Sequence, residues 1–206
     1  MNYPSAKQYI HLTHKGAHFA THAAQDDADR AVLLLLLKRS NTPRLAEFLR
    51  LLKSIKKSSS FEQALSLFSK GYLIAKDHAD KLEDVSLEVS LPAVLANLSD
   101  RQHCAISDQE GFLLSYSGFE LEQAEQAALL AVEISGLQAK RQQNIQDLSG
   151  SNLSFISIID TDGQSQLRFW PMYFNKQAFF LAIKGEPLLQ QKSFTRLAWI
   201  LGQRYL

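Results

Sequence analysis

The sequence predicts an α+β protein in two parts: a mainly helical N-terminal domain over residues 1–85, and a domain over residues 86–206 that runs helix, two strands, helix, three strands, helix. Three observations carry this. Only Gly16 and Gly71 of the nine glycines precede residue 100, and glycine marks turns and strand corners. Seven aromatic residues precede residue 100 and thirteen follow it, as a half-buried sheet favours. The polar stretch DHADKLEDVS at 77–86 separates the two halves.

In the first half, Pro4 opens a helix expected to reach residue 24. Asp26 and Asp27 cap a second over 28–39, which holds the leucine run. Thr42 and Pro43 are an N-cap and first-turn pair for a third, over 43–57. Its Leu45, Phe48, Leu49 and Leu52 keep the spacing of one buried face. Ser59 and Glu62 read as a capping box for a fourth helix, which ends at Lys70 before Gly71. Residues 72–75 and 85–89 read as short strands.

In the second half a short helix covers 91–98. Strands at 103–107 and 112–117 flank the turn Asp108-Gln109-Glu110-Gly111. A long helix without proline covers 120–142. Strands at 153–159 and 166–170 flank Asp160-Thr161-Asp162-Gly163, and Pro171 is expected to end the second of them or to mark an edge. A fifth strand covers 178–184, and a closing helix covers 188–206.

Composition excludes several classes. Twenty-two basic and 21 acidic residues leave a net charge of +1, so the chain is neither a basic nucleic-acid coat nor an acidic tail. Residues 1–95 carry +3 and residues 96–206 carry −2. One cysteine, Cys104, excludes a disulfide framework and fits a reducing compartment. The longest apolar run, 31–37, is far short of the roughly 20 residues that cross a bilayer. The N-terminal MNYPSAKQYIHLTHKG has no secretory apolar core, so the expectation is a cytoplasmic protein.

The segments AISDQEGFLLSYSG (105–118), AEQAALLAVEISGL (124–137) and SFISIIDTDGQSQLRF (154–169) carry a family likeness. With them, residues 90–206 resemble the roadblock/dynein-light-chain family. Its first hairpin has an acidic-plus-glycine turn before an aliphatic strand, matched here by Asp108, Gly111, Leu113 and Leu114. The resemblance implies a five-stranded antiparallel sheet in an α-ββ-α-βββ-α order. It also implies a non-enzymatic homodimer that serves as a platform for other proteins, Ras-like small GTPases among them. Residues 1–85 lie outside it.

The long helix gives a separate argument for dimerisation. Ala127, Leu130, Ile134 and Leu137 share one arc, expected to cover the sheet. Leu121, Ala124, Ala128, Ala131 and Ser135 form a second arc of mostly small residues, suited to close approach of a partner's helix. By the resemblance, the strand at 153–159, with Phe155 and Ser157, joins that interface. Trp170, Tyr173 and Phe174 cannot all face one side of a strand with Phe169, so they are the candidate partner-binding aromatics.

Catalytic and cofactor signatures are few. His11, His14, His18 and His22 would share one stripe of a continuous first helix, with His14 and His18 as weak metal candidates. No HExxH, GxxxxGK[ST], GxGxxG or GxSxG motif occurs. On a strand, His103 points away from Cys104 and cannot be its base. No cofactor and no catalytic residue is expected. The leading expectation is therefore a homodimeric adaptor or regulator of a small GTPase or other signalling protein. The alternative is a DNA-binding transcription regulator, in which Lys53, Lys56, Lys57 and Lys70 contact phosphates and strands 72–75 and 85–89 make the wing of a winged helix.

Overall fold

The computed structural model describes residues 4–23, 27–55, 60–82, 86–149 and 156–206. They fold into two compact units. The first comprises residues 1–84 with 194–206, and the second comprises 85–193. The sequence boundary near 85 recurs, but most of the closing helix packs with the first unit rather than with the sheet.

In the first unit, β1 (Tyr9–Leu12) precedes α1 (His14–Thr21), α2 (Ala28–Leu37), α3 (Leu45–Ile55), α4 (Ser60–Ser69) and β2 (Leu73–Lys76). The continuous helix expected over 4–24 is thus a strand and a shorter helix. Thr13 divides them: its hydroxyl accepts from the Gly16 N–H at 3.0 Å and donates to the Gly71 carbonyl at 2.7 Å. Gly16 is needed for packing, because a Cβ there would lie 2.2 Å from the Tyr72 carbonyl oxygen. Asp27 caps α2 by accepting from the N–H groups of Asp29 and Arg30, each at 2.9 Å. Asp26 and Ser59, also read as caps, lie outside the described residues.

β1 and β2 pair antiparallel, with Ile10 opposite Ala75 and Leu12 opposite Leu73. Their inner face carries Ile10 and Leu73, both buried. The last helix of the chain, α7 (Lys192–Tyr205), brings Phe194, Leu197, Ala198 and Leu201 into this unit. Trp199 donates its indole N–H to the Arg39 carbonyl at 2.5 Å, and a Cβ at Gly202 would meet Leu37 Cβ at 2.6 Å.

The second unit opens with α5 (Leu87–Ala96), which has Ser86 at its N-cap position without a side-chain capping bond and holds Pro92 inside it. The strand expected at 85–89 is therefore helical over its described part, and β2 has no hairpin partner there. Next come β3 (His103–Asp108), β4 (Leu113–Ser117), α6 (Leu121–Ser149), β5 (Ile156–Ile159), β6 (Ser165–Phe174) and β7 (Gln177–Lys184). The sheet is antiparallel with five strands in the order β4-β3-β7-β6-β5. With α7, which begins at its end, the order is the expected α-ββ-α-βββ-α.

β6 continues past Pro171 rather than stopping. The Gly185 N–H bonds the Gln166 carbonyl, which fixes 166/185, 168/183 and 170/181 as the hydrogen-bonded pairs of β6 and β7. Pro171 opposite Phe180 is thus a position whose missing N–H would point away from β7. On that side the described part of β5 ends at Ile156, opposite Phe169. The proline removes no β6–β7 ladder bond.

Two outcomes follow from the first unit. Gly16→Ala should lower stability by about 2–3 kcal/mol, because the clash is with backbone rather than with a movable side chain. Denaturant unfolding reads this directly. His11 is buried, with Nε2 2.9 Å from the His78 carbonyl oxygen and Nδ1 3.2 Å from Asp80. Burial holds its pKa below the ordinary 6.5, although the His78 carbonyl acts in the opposite sense. The unfolded chain therefore takes up this proton more readily. The stability His11 contributes should be complete above pH 6.5 and lost as pH falls through the lowered value. Melting temperature between pH 7.5 and 5 should fall more steeply for the native chain than for His11→Gln.

Candidate interaction surface

The β3–β4 and β5–β6 turns of the sheet have one chemistry. Asp108 accepts from the N–H groups of Glu110 at 3.0 Å and Phe112 at 2.9 Å. Asp160 does the same for Asp162 at 3.0 Å and Gln164 at 2.8 Å. Gly111 (φ 90°) and Gly163 (φ 77°) take the left-handed position that each turn requires. The Gln164 N–H leads the set of hydrogen bonds that holds the Asp160 pKa below the usual carboxylate range. These aspartates shape hairpins, and their charge is used on their own backbone.

The histidines do not form a site. His11 lies on β1, His14 is exposed at the start of α1, and His18 stacks on Phe194 with ring centroids 3.9 Å apart. Among the described residues no group of three His, Cys, Asp or Glu side chains is placed to hold a metal ion. Cys104 is buried, and burial pushes its thiol pKa up, away from the thiolate a nucleophile needs.

The winged-helix geometry is also absent among the described residues. β2 pairs with β1 instead of with residues 85–89. Lys70 is bound to Asp29 at 2.5 Å, and that hydrogen bond raises its pKa. Lys53 is exposed. Lys56 and Lys57 lie outside the described residues.

Both arcs of α6 contribute to the face that covers the sheet. Ala124, Ala127 and Ala131 pack with Ala105 of β3, Phe169 of β6, and Phe180 and Ala182 of β7. Ala124, Ala128 and Ala131 are at most 1% exposed. Ala127, Leu130 and Ile134 of the first arc thus lie toward the sheet as expected, Ala124 and Ala131 of the second arc join them there, and the buried Ala124, Ala128 and Ala131 present no surface to a second chain. Small side chains let the helix axis approach the sheet closely. Leu130 and Ile134 flank that core, half-buried, and Ser135 is half-buried as well. The outward face carries Leu121, Leu129 and Leu137, 53%, 57% and 59% exposed.

Phe112, 70% exposed, stands beside that row in the β3–β4 turn. A Cβ added at the neighbouring Gly111 would come within 3.1 Å of Leu129 Cδ2. β5, which α6 also touches, is an edge of the sheet and exposes Ile158 and Ile159. Ser157 is half-buried and hydrogen-bonded to Ser165. Phe155 lies outside the described residues. Of the three aromatics read as partner-binding, Phe174 is fully buried, edge-on to Phe179. Trp170 and Tyr173 are half-buried, and burial raises the Tyr173 pKa. The sequence reading missed Leu129, Phe112, Ile158 and Ile159. The available signal was leucine at every eighth position of the helix, 121, 129 and 137.

No protein-family model and no curated protein matches the chain. Among solved structures, it is similar to a roadblock/LC7 domain from Streptomyces avermitilis, at 12% identity and a TM-score of 0.39. That match covers 58% of this chain and 95% of the other.

The buried alanines and exposed leucines of α6 make a sharp contrast between variants. Ala131→Glu should cost on the order of 3 kcal/mol or more, since it buries an unpaired carboxylate among Phe169 and Phe180. Leu129→Glu should change stability by only about 0.5 kcal/mol, as an exposed position. Thermal unfolding followed by circular dichroism separates the two.

Proposed function

We propose that the chain is a non-enzymatic homodimeric adaptor whose second unit self-associates through the outward face of α6 and the edge strand β5. The observation that supports this is the row Leu121, Leu129 and Leu137 beside an edge strand with Ile158 and Ile159 exposed. An unpaired, apolar strand edge is an aggregation hazard unless something covers it. A second copy related by a twofold axis would pair β5 with β5 and oppose the two leucine rows, so that one patch serves both sides. Leu121, Ser135, Phe155 and Ser157 remain in the proposed interface. Ala124, Ala128 and Ala131 support it from behind by setting the height of the helix on the sheet.

A dimer of this kind gives a platform with two equivalent outer faces. The partner we propose is a Ras-like small GTPase or another signalling protein, bound without a catalytic side chain from this chain. Cytoplasmic location belongs to this reading. Among the described residues no helix is long and apolar enough to cross a membrane.

Sedimentation velocity over a concentration series tests the dimer. The native chain should run as a dimer, and Leu129→Glu with Leu137→Glu should run as a folded monomer with one cooperative unfolding transition, whose melting temperature no longer rises with protein concentration. A native chain that is monomeric at all concentrations refutes the interface. Titration with a small GTPase, loaded in turn with GDP and with a non-hydrolysable GTP analogue, tests the partner. Binding to neither form discards the GTPase and leaves the dimer standing.

A further inference from the structure

A groove of about 1070 Å3 lies within the first unit, between α4 and β2. It borders Leu73, Ile74 and Ala75 in succession. Side chains of successive strand residues point to opposite faces, so a cavity that meets all three borders the strand's edge and not one face. Leu65 and Phe68 of α4 give its other wall an apolar surface, with Ser66 and Ser69 interleaved, and Pro4, Ser5 and Gln8 of the segment before β1 also line it.

The register shows what that edge offers. The Thr13 N–H donates to the Tyr72 carbonyl at 3.0 Å. In an antiparallel ladder the hydrogen-bonded pairs then recur at 11/74 and 9/76. Leu73 and Ala75 are the alternate positions, whose N–H and C=O groups point away from β1. The Ile10 N–H, opposite Ala75, shows the same phase: it points away from β2 and bonds the Pro43 carbonyl at 2.9 Å. β1 therefore has its outer edge partly occupied by the chain itself. β2, in a two-stranded sheet, has no such neighbour among the described residues.

We infer that the groove between α4 and β2 binds an extended peptide segment of a partner protein, added antiparallel or parallel to β2 as a third strand. The backbone groups of Leu73 and Ala75 would supply the ladder bonds, and Leu65, Phe68 and Ile74 the pockets for alternate apolar side chains. The groove's lining includes one ionisable side chain, the exposed Glu62, and no basic one. The segment it fits thus alternates apolar and polar residues and carries lysine or arginine where it passes the start of α4. The helix N-terminus is no obstacle, since Glu62 lies in the first turn and its charge outweighs the half-charge of the helix dipole. This surface is separate from α6 and β5, and it stands or falls independently of the proposed dimer.

The test is selection of random twelve-residue peptides displayed on phage against the full chain. The expected result is enrichment of sequences with period-two apolar alternation and a basic residue. Ala75→Pro removes the outward N–H while keeping an extended backbone and the β1 ladder. It should weaken a synthetic, fluorescently labelled winner about five- to tenfold, the worth of one lost hydrogen bond in an apolar groove. Glu62→Lys should weaken it comparably, and an uncharged variant of the same peptide should be insensitive to Glu62→Lys. Hydrogen exchange at Ala75 should slow when the peptide binds. Failure to enrich any such sequence, or binding indifferent to Ala75→Pro, overturns the proposal. So does self-association of the native chain that Ala75→Pro abolishes, because the edge would then belong to a second copy.

Discussion

The close seating of α6 on the sheet governs the second unit. Ala124, Ala127 and Ala131 meet Ala105 and Ala182, so helix and sheet touch through side chains of one carbon each, with Phe169 and Phe180 filling the margins. That arrangement leaves no room for bulk on the inner face. The leucines of the helix are consequently placed at its flanks, as with Leu130, or outside, as with Leu129 and Leu137. The apolar surface of the unit is therefore a by-product of how its interior is packed. Enlarging an inner alanine would lift the helix and shift the exposed row with it.

Much of the second unit could be read from residue order because its signals are local. Asp-x-x-Gly turns fix the β3–β4 and β5–β6 hairpins through bonds to their own backbone, and the strands on either side follow. The length of α6 without proline is equally plain. The orientation of α6 was not legible. Two arcs of one helix are apolar, and Ala127, Leu130 and Ile134 lie toward the sheet as the larger arc predicts, but Ala124 and Ala131 turn inward with them and Leu137 turns out. Only the identity of the facing strand residues, Ala105 and Ala182, draws the small side chains in, and that is a property of three elements together.

The first unit was read less well, again for physical reasons. His11, His14, His18 and His22 keep helical spacing, but Thr13 and the demand for β1 as partner of β2 place His11 on a strand. Residues 85–89 have the β-branched content of a strand, yet a helix begins at Leu87 and tolerates Pro92. Pro171 shows the opposite case. Proline is expected to end a strand or mark an edge, and the register of β6 against β7 puts its missing donor where no described partner waits. For His11 and Pro171 the pairing with another strand overrides the local preference.

The separation of residues 194–206 from the rest of the first unit has a consequence in time. The second unit is a continuous stretch of chain, 85–193, inserted between two parts of the first. Emerging from the ribosome, the N-terminal helices must wait for more than half the protein to follow before Phe194, Leu197 and Leu201 arrive to fill their core. Until then Leu33, Leu37 and their neighbours lack part of their burial. The strands of the sheet unit pair within its own stretch of chain, so the sheet can be completed before residues 194–206 are made. Synthesis therefore delivers the last piece of the first unit's core only after the whole of the second unit has emerged.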